Sequence, residues 1–184
     1  MASSRLARAL LLGAAGALLL GHSPYRQWYV FRAKHLVVVT SDALPGAFAL
    51  AEAVAGAIAA RLPETKALPA TARASAEVVR LLRSRQLQVG LIPPADALEA
   101  LQGKGRFSDD APVPLRALAS LGSYLLVVLD EYPREKAFRI VRTVAEYPGS
   151  WPLPQKPVLR GKAPIPFHPG AVDYYEGRPT PSEG

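Results

Sequence analysis

The sequence predicts an α/β fold. It reads as a single lobe on a mostly parallel sheet, with an N-terminal signal or anchor segment before it and a proline-rich arm after it. Three observations carry this reading. The run Leu36 to Val39 is continuously aliphatic without alternation, which suits a strand covered on both faces. From Ala47, apolar residues recur at 47, 50, 51, 54, 55, 58 and 62, the spacing of one helix face. Strand-like and helix-like stretches then alternate, as in parallel sheets joined by crossover helices.

The 184 residues are enough for one ordinary domain and its appendages. The charge of 22 − 15 = +7 suits an anionic small ligand, a membrane surface or nucleic acid, and does not choose among them. No arginine-rich run is interleaved with aromatics, so nucleic acid is not an expected partner. Cysteine is absent, which excludes disulfides, thiolate catalysis and the usual zinc clusters. The chain carries no P-loop, dinucleotide fingerprint or nucleophile elbow, so neither catalysis nor a cofactor is expected.

Taken in order, the chain opens on MASSRLARALLLGAAGALLL. Arg5 and Arg8 form a positive flank, and Ala9 to Leu20 is the length of a signal-peptide core, short of the ~20 residues of a membrane span. Tyr25, Trp28 and Tyr29 follow, residue types that favour the membrane interface. Residues 1–34 therefore read as an export signal, either cleaved or retained as an anchor to the inner membrane, with the body in the periplasm or outside the cell.

The body is expected to span 35–147. Its first strand passes into the turn Thr40, Ser41, Asp42, and Pro45 and Gly46 lead to an alanine-rich helix whose bulk is Phe48, Leu50, Val54, Ile58 and Leu62. Thr65 to Ala70 reads as a second strand, with Pro69 marking an edge or an end. Ser75 stands at an N-cap position with Glu77 in the first turn of a helix to about Gln86. Gln88 to Ile92 is a third strand, stopped by Pro93 and Pro94. Ala95 to Leu101 is a short helix, Leu115 to Ser120 and Tyr124 to Leu129 are two further apolar runs, and Arg134 to Glu146 is a helix. Beyond it, 148–184 is proline-rich and reads as an arm with one helical turn at Gly170 to Glu176 and a disordered end from Gly177.

Ligands of open α/β sheets gather beyond the carboxyl ends of strands, near helix N-termini. That singles out Thr40, Ser41 and Asp42, whose hydroxyls and carboxylate either meet a ligand or merely cap the helix. Asp42 would favour a cationic group such as an amine. Ser75, Glu77 and Asp96 are explained by capping alone. Arg80, Arg83 and Arg85 read as a solvated helix face, with anionic lipid headgroups as the sharper alternative. His168 has no second ligand at metal spacing, so no metal site is expected.

Five segments, in order, resemble a known family: VTSDALPGAF at 39–48, SAEVVRLL at 75–82, QVGLIPPAD at 88–96, LRALASL at 115–121 and PFHPGAVDYYE at 166–176. They are similar to motifs of the TAXI-type solute-binding proteins of tripartite (TRAP) transporters. The resemblance covers roughly 35–176, and LRALASL and HPGAVDYY are its most specific pieces. It implies one lobe of periplasmic-binding-protein type, a ligand surface at Thr40, Ser41, Asp42, Gly46, Phe48, Ser75 and Glu77, and docking of the arm through Phe167, His168, Tyr174 and Tyr175. Partners would be a small organic acid or amino acid and TRAP-type permease subunits. The chain departs from the family in three ways. The second lobe is missing, Ser41 to Leu44 replace turn glycines, and Phe48 and Pro93 stand where tyrosine and glutamine are usual. These departures support an alternative, a ligand-free structural or interaction subunit of a membrane complex, whose arm and bared apolar surfaces meet a partner protein.

Overall fold

The computed structural model describes residues 34–109, 111–153 and 159–182. The chain divides into two units, Met1–Ala33 and Lys34–Gly184. The segment 1–34 read as a signal or anchor lies, up to Ala33, in the first and outside the described residues.

Five strands form one sheet in the order β2-β1-β3-β5-β4. β1 (Val37–Ser41) lies between β2 (Leu68–Ala72) and β3 (Val89–Ile92), parallel to both, with Val37 opposite Leu68 and Val38 opposite Val89. β4 (Leu115–Leu121) and β5 (Tyr124–Leu129) form a hairpin that adds to β3 through β5, antiparallel. Four strands thus run one way and β5 the other, so the sheet is mixed though mostly parallel. The reason lies in the link: Gly122 and Ser123 are too few for a crossover, and Gly122 takes a left-handed φ of 65°.

Helices cover both faces. α1 (Ala47–Arg61) and α4 (Arg134–Ala145) lie on one, burying Leu50, Val54, Ile58, Ile140 and Val141 against Val38, Leu91 and Leu126. α2 (Ser75–Arg83) and α3 (Pro94–Gln102) lie on the other, where Val78, Leu82, Ala97 and Ala100 join Val39, Ile92 and Val127. The first helix meets the sheet through Ala47, Ala51, Ala55 and Ala57, small residues that allow close approach. Phe48 is not part of that face. It stands one position off the stripe and is 43 % exposed, the one exposed large hydrophobic side chain among the described residues. The expected second strand also moves. A single helical turn, Pro63–Thr65, occupies its start, and β2 begins at Leu68 with Pro69 on the sheet edge, where a missing N–H does no harm.

The opposite edge, β4, is closed by the arm. A bulge at Leu118 interrupts the pairing with β5. Beside it, the Ala117 N–H donates to the Pro166 carbonyl at 2.9 Å, and the His168 N–H donates to the Ala117 carbonyl at 2.8 Å. The Ser120 N–H likewise donates to the Leu159 carbonyl at 2.9 Å. An edge strand left open would present these groups to other chains. α5 (Pro169–Tyr175) then packs on α4, held by Asp173, whose buried carboxylate accepts from Arg134 at 2.7 Å and Arg178 at 3.0 Å. The expected disorder from Gly177 does not begin there, because the Arg178 N–H donates to the Asp173 carbonyl at 2.9 Å.

Two glycines give opposite predictions. A Cβ on Gly170 would lie 2.1 Å from the Arg134 carbonyl oxygen and 2.9 Å from the Phe138 nitrogen, backbone atoms that cannot yield. Gly170→Ala should cost about 2–3 kcal/mol. A Cβ on Gly56, within α1, meets nothing within 4 Å, so Gly56→Ala should gain about 0.5–1 kcal/mol. Urea unfolding midpoints of the two variants, shifting in opposite directions, check this; shifts of the same sign contradict it.

Candidate functional site

The polar end of β1 is drawn inside. Thr40 is fully buried and its hydroxyl donates to the Leu91 carbonyl of β3 at 2.9 Å. Ser41 is buried too, and its Oγ accepts from the Ala43 N–H at 3.2 Å, folding the chain into a tight turn. Neither Ser41 nor Asp42 caps α1. The N-cap is Gly46, at a φ of 71° that favours glycine, and no side chain caps the helix. Asp42 is exposed, anchored by its N–H to the Ala72 carbonyl at 2.9 Å, and Phe48 projects from the first turn of α1.

The second turn also departs from expectation. Ala74, not Ser75, is the N-cap of α2. Ser75 is buried within the first helical turn. No side chain caps the helix; the Glu77 carboxylate instead reaches past the N-cap to accept from the Arg73 N–H at 2.9 Å, outside the helix. At the third turn, Asp96 is buried with the Arg106 guanidinium 3.5 Å away, and its Oδ2 makes no hydrogen bond.

Because β1, β2 and β3 are parallel, all three turns lie at one end of the sheet. The chain steps from β1 to β2 on one side and then to β3 on the other, so this end is a topological switch point. Thr40, Ser41, Asp42, Gly46 and Phe48 surround the exit from β1, and Ser75 and Glu77 the exit from β2. Of these, Asp42 and Phe48 present side chains to solvent; the hydroxyls of Thr40 and Ser41 are committed within the fold.

The four arm residues lie against the body. Phe167 and Tyr174 meet Tyr175 and Phe138 edge to face, with ring centroids 5.7 Å apart in each case. The Tyr175 hydroxyl donates to the Leu118 carbonyl at 2.8 Å, and burial pushes its pKa up. His168 is buried as the N-cap of α5. Its Nδ1 accepts from the Gly170 N–H at 3.1 Å, while Nε2 faces the Tyr132 and Asp130 carbonyls without a well-formed hydrogen bond. Burial lowers its pKa, with the two carbonyls opposing.

At the other end of the sheet, sequence reasoning missed a cavity of about 350 Å³ between the segment before β3 and the link from β5 to α4. It assigned Arg85 to the exposed face of α2, but that helix ends at Arg83. Arg85 instead takes a left-handed φ of 55° and forms a two-point pair with Glu131. The pair lowers the carboxyl pKa of Glu131. No three His, Asp or Glu side chains among the described residues are grouped to hold a metal ion.

Two buried ionisable groups of the arm, His168 and Asp173, fix a pH dependence. His168 has a lowered pKa, so the unfolded chain takes up a proton near its ordinary value of about 6.5 before the folded chain does. Stability is therefore expected to hold above that value and fall as pH drops below it. Asp173, its pKa lowered chiefly by the Arg134 hydrogen bond, contributes stability above the ordinary carboxylate range that is lost as pH falls further. Urea midpoints from pH 8 to 4 check this, and His168→Gln should flatten the portion between about pH 7 and 5. Comparison with known proteins leaves function to these residues: no family model matches the chain, and no curated protein matches it.

Proposed function

We propose that the protein is an exported, non-covalent binding lobe of the TAXI solute-binding type, tethered through its N-terminal segment. It takes an amino acid at the strand-end surface and presents it to a TRAP-type permease. The observation that carries the reading is the switch point, where exposed Asp42 and Phe48 flank the N-terminus of α1, a helix without a side-chain cap. A carboxylate beside a helix N-terminus that no side chain caps matches a zwitterion: the amine on Asp42, the acid on the helix amides beyond Ala47. The committed hydroxyls of Thr40 and Ser41 narrow the organic acids and amino acids that the resemblance implies to the latter class. Five segments in family order, including the HPGAVDYY arm, add support.

A second reading is favoured by those same hydroxyls. With the Thr40 and Ser41 hydroxyls engaged internally, the lobe serves as a ligand-free subunit of a membrane complex. Phe48, the exposed large apolar side chain, then belongs to a protein contact.

Calorimetric titration of the full-length chain with the common amino acids and with dicarboxylates separates the two. The transport reading expects saturable binding of an amino acid, weakened at least about tenfold by Asp42→Asn, consistent with loss of a charged hydrogen bond. Silence across the whole panel, together with cross-linking in native membranes to a stoichiometric partner that is not a permease, establishes the second reading instead.

A further inference from the structure

The cavity at the opposite end of the sheet has a composition of its own. Its apolar wall is made by Leu87, Leu129, Pro133 and the ring of Tyr132. That ring is fixed from behind by His168 of the arm, edge to face at 6.4 Å. At about 350 Å³ the cavity falls at the small end of the range for small-molecule sites. Three charged side chains reach it. Arg85 and Glu131 are bound to each other, with Nη2 to Oε2 at 2.7 Å, and so cancel. Lys136, in the first turns of α4, has no ion pair or hydrogen bond among the described residues. The cavity thus offers one uncommitted cation beside an apolar wall, with the Gln88 amide as a further polar group.

We propose that this cavity binds a small monocarboxylate with a compact apolar body, its acid group on Lys136 and its body against Leu87, Leu129, Pro133 and Tyr132. The charge count selects the class. A cationic ligand would meet Lys136 while Glu131 is already taken by Arg85. A phosphate or other multiply charged anion would want a second free cation, and Arg85 is committed. A neutral apolar molecule would use the apolar wall but leave the Lys136 ammonium without a partner. The site is independent of the strand-end surface, since β3 enters the sheet here and leaves it there.

Benzoate and 4-methylpentanoate are suitable probes, with benzamide as the uncharged counterpart of the first. Titrated into the full-length chain and followed by ligand-observed NMR, both acids should bind saturably and benzamide several-fold more weakly. Lys136→Gln, at an exposed helix position that leaves the core untouched, should weaken both acids by up to about fivefold, consistent with removal of one solvent-exposed ion pair. Gln88→Glu, which brings a negative charge to another wall, should do the same. Asp42→Asn should change nothing. The proposal is overturned if neither acid binds, if benzamide binds as well as benzoate, or if both cavity variants bind unchanged. It is equally overturned if Asp42→Asn alone abolishes binding, because the acids then sit at the strand ends.

Discussion

Everything in this lobe depends on the burial of β1. All five of its residues are inaccessible, with helices on both faces and strands on both sides. Three valines meet that condition without cost. Thr40 and Ser41 do not, since a buried hydroxyl without a partner is destabilising by a few kcal/mol. The fold resolves this by spending both groups at home, one on the Leu91 carbonyl and one on the Ala43 N–H. The same burial places β1 at the point where the chain reverses its direction of travel across the sheet, which creates the strand-end surface. A ligand at that surface would compete with the fold for the same few residues, and at Thr40 and Ser41 the fold already holds the hydroxyls.

The opposite problem arises at β4. As an edge strand with a buried, aliphatic sequence it presents unpaired backbone groups, and the chain supplies its own cover. The arm adds a short stretch of parallel pairing at Phe167, then turns through His168 into α5, which Asp173 pins to Arg134. At Gly170 the arm comes so near the helix that a Cβ would meet its backbone, and the missing side chain is the condition for contact. The arm also stands behind Tyr132, so the shape of the cavity at the far end depends on this docking. Closure of an edge and construction of a wall are two results of one contact.

Much of the fold is legible in the sequence because its signals are local. The aliphatic run at 36–39, the helical spacing from Ala47 and the double proline at 93–94 each mark an element within a residue or two of its observed bounds. What is not legible depends on partners far along the chain. That β5 runs against the rest follows from a two-residue link joined to a long-range pairing with β3. Ser75 stands where a cap would, yet the helix starts one residue earlier, at the N-cap Ala74, and Glu77 ties back to the Arg73 N–H outside it. Phe48 shows the limit of resemblance: a position aligned to a family's contact residue says nothing of which way the side chain points. The pairing of Arg85 with Glu131, 46 positions apart, leaves no trace in composition or periodicity, and the cavity it borders is invisible for that reason.

The claim at the centre of this account is that the Thr40 hydroxyl holds β1 to β3 and is not free for a ligand. Equilibrium unfolding of Thr40→Val, measured beside amino-acid titration of the same variant, tests it most directly. The account predicts a loss of about 1–2 kcal/mol, from one buried hydrogen bond, with ligand affinity unchanged. Unchanged stability with loss of binding would contradict it.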